Sequence, residues 1–310
     1  MIVVGVDIGA TKTHLAVVGG GEPIDLVVPT TGWRVRRDEE DAHALLALAR
    51  ETDGADLAVI VVGAHGCDDV ARCLAFQRSL AALTSAAVLV VNDAELLVPA
   101  AGFDHGIGVV AGTGSIAVAR LPDRTMLVAG GWGWLLGDEG GAVGLVREAA
   151  RAVRGALDSG YTTDPLVGCM CRSLGADNPI QFGHKLVEAG GPAAIGGHVS
   201  AVFEAAAMGS DLARAVVRDG GAALARLVRQ LVGRGATGGE VVAAGGVITR
   251  QDALMAAFRE ALATVAPDWR ITLLAEPPVR GALALARRIA SSETMFGLAP
   301  TPPAGRKALE

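Results

Sequence analysis

Apolar residues follow two different periods along this chain. Runs rich in Val, Ile and Leu at 2–7, 14–18, 57–63, 87–91, 107–111, 116–119, 126–129, 241–244 and 271–274 predict strands. Apolar residues recur every three or four positions at 39–51, 69–83, 141–157, 180–189, 198–208, 211–233, 251–265 and 279–291, which predicts helices. The two kinds of segment alternate, so the pattern predicts an α/β fold with helices packed on sheets.

The strand pattern contains an echo. VVGVDIGATKTHLAVV at 3–18 and IGVVAGTGSIAVAR at 107–120 both run from an apolar strand through a small polar turn into a second apolar strand. Each turn carries a Gly, a Thr and a hydroxyl two positions further on, Thr11 with Thr13 and Thr113 with Ser115. One reading is a duplicated domain in which each copy offers a turn to a common site. The other is that hairpins often turn on Gly and Thr.

Composition narrows the class. A chain of 310 residues is long enough for two domains, and 51% hydrophobic against 19% charged residues supports large cores. A net charge of -6, 4% aromatic content and no basic cluster argue against a nucleic-acid partner. The apolar run LAVIVVGA at 57–64 is too short to cross a bilayer, and no secretory leader is expected before Ile2. The expected compartment is therefore cytoplasmic. Cys67, Cys73, Cys169 and Cys171 are expected to be reduced, buried thiols, because neither Cys169–Cys171 nor His65–Cys67 has a second pair at metal-ligand spacing. The Pro-rich stretch 297–310 is expected to be a disordered tail.

The Gly turns point to phosphate. A dinucleotide site needs the turn to open a helix, whereas THLAVV and SIAVAR read as strands, and no P-loop pattern occurs. What remains is a hairpin turn whose backbone N–H groups and hydroxyls hold phosphate. Asp7 beside such a turn makes sense if Mg²⁺ screens it from the phosphates, or if it makes an Asx contact within the turn. Asp93 ends the buried run AAVLVVNDAELL. It either caps the following helix or acts as a base at a strand's carboxyl end during phosphoryl transfer. The segment GGWGWLLGDEGGA at 130–142 concentrates Gly, two Trp and an acidic pair. It reads as a ligand-gripping loop, or as a Trp-anchored surface loop in which Asp138 caps the next helix.

The ordered motifs DIGATKT, VNDA, AGTGSIA, GWGWLLGDEG, AAGGV and PPVRGAL resemble those of N-acetylglucosamine kinases, from Val3 to about Arg288. Those kinases belong to the BadF/BadG-type ATPase branch of the actin-like and sugar-kinase superfamily. The resemblance implies two ribonuclease-H-like domains flanking a nucleotide and sugar cleft. The first would be 1–104 plus a last helix at about 281–296 and the second 105–280. It implies ATP and Mg²⁺ as cofactors and an amino sugar as substrate, with Asp93 as the base that activates the 6-hydroxyl. Gly9, Thr11, Lys12 and Thr13 would hold phosphates from one domain and Gly112 with Thr113 from the other. Gly245 and Gly246, with Arg250 on the helix after them, would form the adenosine-side loop. Asn92, Ser115, Gly131, Trp132, Gly133, Asp138 and Glu139 would contact the sugar, and Asp7 the metal.

The pattern departs from those kinases in one place. They carry an Asn shortly before a Trp in a first-domain loop, where this chain has Thr30-Thr31-Gly32-Trp33. None of the four cysteines is placed as the iron–sulfur activators of the same branch require, and the zinc cluster of another sugar-kinase group is absent. A sugar- and nucleotide-sensing regulator of the same fold, or an ATPase coupled to a partner protein, are the rival expectations. The apolar helix faces are compatible with a homodimer.

Overall fold

β1 (Ile2–Ile8) is buried along nearly its whole length, which is why its sequence is a continuous apolar run rather than an alternation. It occupies the centre of a five-stranded sheet in a computed structural model that describes residues 1–19, 22–53, 57–161 and 163–291. The expected tail and the 292–296 end of the last helix lie outside the described residues. The chain divides into two units, Met1–Ala100 with the segment from Pro277 onward, and Ala101–Glu276.

In the first unit β2 (Lys12–Val18), β3 (Ile24–Pro29), β4 (Leu57–Ala64) and β5 (Ala87–Asn92) join β1 in the order β3-β2-β1-β4-β5. β1 pairs antiparallel with β2, and parallel with β4. β3 is absent from the sequence-based expectation. It is an edge strand whose residues alternate between half-buried and exposed, so it lacks the dense apolar run of the central strands. Helices α1 (Asp38–Asp53) and α2 (Val70–Ala81) place Leu45, Leu46, Phe76 and Leu80 against Val4, Val6, Ile8 and Ile60 on one face of the sheet. A 3-10 turn (Asp93–Leu96) and the short α3 (Leu97–Ala100) close this half.

The second unit repeats the topology. β6 (Ile107–Ala111), β7 (Ser115–Arg120), β8 (Met126–Gly130), β9 (Glu240–Ala244) and β10 (Arg270–Leu273) form a sheet of order β10-β9-β6-β7-β8. Again an antiparallel meander leads, and two parallel strands follow on the other side of the first. Helices α4 (Ala142–Asp158), α5 (Pro165–Leu174), α6 (Phe182–Glu188), α7 (Pro192–Gly196), α8 (Ser200–Ala207), α9 (Asp211–Gly233) and α10 (Asp252–Val265) build the rest of its core. α5 is also absent from the sequence-based expectation, although Asp164 caps it, Pro165 opens it and Gly175 ends it in the left-handed region.

The chain then returns to the first unit as α11 (Val279–Ser291). Val279, Ala282, Leu283 and Ala286 cover Val3, Val59, Val61 and Val91 on the face of the first sheet that α1 and α2 leave open. Gly5 permits this approach, since a Cβ there would stand 2.8 Å from the Leu283 nitrogen. No helix among the described residues is long and apolar enough to cross a membrane.

Candidate functional site

The first hairpin turn closes between Ile8 and Thr13, with the Gly9 N–H donating to the Lys12 carbonyl at 3.0 Å. Ala10, Thr11 and Lys12 are exposed. Among the described residues the N–H groups of Ala10 and Thr11 have no hydrogen-bond partner, so the turn presents two free backbone donors and the Thr11 hydroxyl.

Thr13, expected to face phosphate with Thr11, is instead fully buried. Its hydroxyl lies 2.9 Å from that of Thr30, which donates to the Gly9 carbonyl at 3.0 Å, and the Trp33 indole N–H donates to Thr13 at 3.1 Å. Each hydroxyl has one proton, so the chain of donors runs Trp33, Thr13, Thr30, Gly9. Thr13 therefore braces the turn from behind. Thr30 and Trp33 supply the rest of that brace.

β5 delivers the second feature. Asn92, expected among the sugar contacts, is fully buried and its amide is engaged on every side. Its Oδ1 accepts from Ala94 N–H at 2.9 Å, while Nδ2 donates to the Cys67 carbonyl at 3.2 Å and Asp68 Oδ1 at 2.9 Å. With Glu95 it forms a capping box, so Asn92 rather than Asp93 caps the turn. Asp93 is thereby left with one oxygen lightly held, Oδ1 at 3.1 Å from Ala94 N–H, and with Oδ2 3.8 Å from His65 Nδ1. Burial raises the Asp93 carboxyl above its ordinary range, the His65 imidazole opposes that rise, and the Asp68 charge adds to it.

Asp7 points at the same corner. Its carboxyl is pushed up to about 7, first by burial and then by the Asp93 charge, with Lys12 opposing. No hydrogen bond to this carboxyl exists among the described residues, which removes the Asx-turn reading. A half-buried carboxyl with its lone pairs unused fits a divalent cation held by Asp7, which would also ease its repulsion from Asp93. No group of three or more His, Cys, Asp or Glu able to cage a metal occurs among the described residues. Any Mg²⁺ here would thus need phosphate or water for most of its ligands.

The second hairpin divides its labour as the first does. Gly112 N–H donates to the Gly114 carbonyl at 3.0 Å, and Thr113 is exposed. The N–H groups of Thr113 and Gly114 have no partner among the described residues. Ser115, expected to touch sugar, is buried, and its hydroxyl donates to the Glu139 carbonyl at 2.7 Å. Its own N–H donates to Asp138 Oδ1 at 3.0 Å. Asp138 is buried and held at φ 62°, and does not cap α4, whose cap residue is Gly141. One oxygen of its carboxylate therefore ties the 130–141 loop to the hairpin. Glu139 leaves its side chain exposed.

Gly131 and Gly133, at φ 73° and 76°, turn that loop outward so that Trp132, Leu135 and Leu136 are 75%, 71% and 79% exposed. The Arg147 guanidinium anchors it by donating to the carbonyls of Trp134 and Gly137. Gly245, at φ 114°, lies against Ala111, whose carbonyl accepts from Val247 and Ile248, both at 3.2 Å. Gly246 is exposed beside it. Arg250 is exposed too, but it stands in the turn ahead of α10 rather than on that helix.

His65, Asp68, Thr30 and Trp33 were not singled out as site residues from sequence. His65 is the first residue past β4, at the same edge of the sheet that marks Asp93, and that position was the available signal. No disulfide joins the four cysteines, and Cys67, Cys73 and Cys169 are buried as expected while Cys171 is only half-buried.

Residues 4–284 match the model of the BadF/BadG/BcrA/BcrD ATPase family. The chain belongs to this family. A structure from Chromobacterium violaceum assigned as an N-acetylglucosamine kinase superposes with a TM-score of 0.66 at 24% identity, covering 92% of this chain and 98% of that one. The ROK family glucokinase from Streptomyces griseus, in complex with glucose and AMPPNP, gives 0.53 at 20% identity over 93% and 100%. This family member thus has the two-domain fold of actin-like ATPases and sugar kinases. The N-acetylmuramic acid/N-acetylglucosamine kinase of Clostridium acetobutylicum is 29% identical over 176 residues, 51% of this chain and 54% of that one. The chain therefore spans about half the length of the curated relative it matches.

Proposed function

We propose that this family member is a cytoplasmic, ATP-dependent kinase that phosphorylates an amino sugar, N-acetylglucosamine or glucosamine, at the 6-hydroxyl. The observation that carries the reading is Asp93. It is a carboxylate at the carboxyl end of β5, raised by burial, with Oδ2 free of hydrogen bonds among the described residues. A base of that kind can accept the hydroxyl proton as the γ-phosphoryl is transferred. The Clostridium relative, by its name, acts on amino sugars, which supports the substrate class.

In this mechanism the free N–H groups of Ala10, Thr11, Thr113 and Gly114 bind phosphate oxygens, with the Thr11 and Thr113 hydroxyls and Lys12 adding donors. The Gly245–Gly246 turn allows close approach of the adenosine. Asp7 would hold Mg²⁺, which when bound neutralises phosphate charge. Gly131, Trp132, Gly133 and Glu139 remain the exposed groups through which the 130–141 loop would meet the sugar. Asp93 Oδ2 orients the acceptor hydroxyl and takes its proton, so most of the acceleration comes from positioning and charge stabilisation.

A panel of sugars with coupled ADP detection tests the proposal. Glucosamine or N-acetylglucosamine should stimulate ADP formation, and Asp93→Asn should lower that turnover by at least about a hundred-fold while leaving ATP affinity within a few-fold. Sugar-independent hydrolysis would point to a partner-coupled ATPase. Tight sugar binding without turnover would point to a sensor.

A further inference from the structure

His65 stands where the proposed base needs a neighbour. Its backbone is fixed at both ends, because its N–H donates to the Ile8 carbonyl at 2.8 Å and its carbonyl accepts from Arg34 Nη1 at 2.9 Å. The next residues are fixed as well. Asn92 holds the Cys67 carbonyl and Asp68 Oδ1, and Cys67 N–H donates to the Ala64 carbonyl at 3.1 Å. The loop after β4 is therefore pinned to the strands that carry Asp7 and Asp93, and the His65 ring is presented from a rigid root.

The ring faces Asp93 Oδ2 at 3.8 Å, which is within ion-pair range but too long for a hydrogen bond. Oδ1 is the oxygen that Ala94 N–H holds, so Oδ2 is the one left for a proton. The His65 side chain is 44% exposed, against 20% for Asp93, so it lies on the open side of the carboxylate. The other charges near this carboxylate are Asp68 and Asp7, both acidic, with Lys12 near Asp7 and Arg34 behind His65. Among the described residues, His65 is thus the basic side chain within ion-pair range of Oδ2.

Resting on the kinase reading above, we propose that His65 is a positioning residue for Asp93. Its Nδ1 steers Oδ2 toward the acceptor hydroxyl, and the ring balances the carboxylate against Asp7 and Asp68. In that role the acceptor O–H bond breaks and its proton moves to Oδ2, while the acceptor oxygen bonds to the γ-phosphorus of ATP and the bond from that phosphorus to ADP breaks, so that ADP leaves. His65 bonds to neither and fixes where Oδ2 waits.

The test uses the full chain. Ring-proton NMR follows the histidines in the wild type, in Asp93→Asn and in His65→Ala, which identifies the His65 signal by its loss. Pairing predicts that the His65 ring-proton resonances shift when Asp93 becomes Asn while those of the remote histidines do not, whether or not any sugar is phosphorylated. Unmoved His65 resonances overturn the pairing. In the kinase assay His65→Ala should lower kcat by at least about ten-fold, with KM for ATP within two-fold and the thermal midpoint unchanged. His65→Asn, which keeps a donor near the Nδ1 position, should recover part of the loss. An unchanged kcat in His65→Ala overturns the positioning role. A wild type that phosphorylates no sugar while the NMR coupling persists would sink the kinase reading and leave the pair standing.

Discussion

At the scale of single residues, the site is assembled from groups that the fold holds at a disadvantage. Asp7 is the clearest case, because its carboxyl ordinarily ionises near 3.8 and in the folded chain does so near 7. The folded chain therefore binds a proton that the unfolded chain has released between those values. Stability falls as pH rises from about 4 to about 7 and is level above, by a few kcal/mol in all. Asp7→Asn removes the ionisation and should be more stable than the wild type at pH 8, with little difference at pH 4. Denaturant midpoints of the two proteins at both pH values check this, and equal midpoints at pH 8 would remove Asp7 from the account. A variant that gains stability there while losing phosphotransfer would mark a position kept for function. The sequence made Asp7, Asp93 and both turns legible, because Gly and hydroxyls between apolar strands have few uses. It could not separate Thr11 from Thr13, or Thr113 from Ser115. Which hydroxyl faces out depends on Thr30, Trp33 and Glu139, which are distant along the chain and send no local signal.

At the scale of elements, the placement of Asp93 depends on a helix that arrives last. α11 passes so close to the turn Asp93–Leu96 that a Cβ on Gly281 would overlap the Leu96 carbonyl oxygen. Helix propensity alone makes Gly281→Ala stabilising, by about 1 kcal/mol. The contact reverses the sign, since the backbone carbonyl cannot rotate away as a side-chain tip could. Gly281→Ala is expected to destabilise the protein by about 1–3 kcal/mol. Because the displaced turn carries the proposed base, kcat should fall more than KM for ATP rises. Urea unfolding and steady-state kinetics on the one variant measure both. α11 itself was legible from its periodicity. The close approach was not, for a Gly inside a helical pattern reads as a weak point until its neighbour is known. Among the elements that escaped, β3 and α5 failed for a related reason. Their apolar residues are spaced for half-burial or interrupted by Gly168, so flanking signals outweigh the period.

At the scale of the whole molecule, the repeated topology of the two sheets bears on how the chain folds. The sequence echo between the hairpins was open to two readings, and the common strand order favours duplication, since unrelated hairpins need not be followed by two parallel strands on the same side. The units differ in continuity, however. The second is one stretch, Ala101–Glu276, whereas the first needs α11 from beyond it. Without α11, the face formed by Val3, Val59, Val61 and Val91 loses its cover, and Val279 and Leu283 lose their burial. At about 1.5–3 kcal/mol for each large apolar side chain, that loss is on the order of 10 kcal/mol. It matches the whole stability expected of such a domain, about 5–15 kcal/mol. A fragment of residues 101–276 should therefore unfold cooperatively by itself, while a fragment of residues 1–100 should not. Trp33 is the only Trp in the shorter fragment and lies against Thr13, so its fluorescence reports whether the first hairpin is braced. Adding a peptide of residues 277–291 should restore a cooperative transition in that signal, because the peptide supplies the missing face of the core. A 1–100 fragment that already unfolds cooperatively would show that α11 is held by the unit rather than needed to complete it.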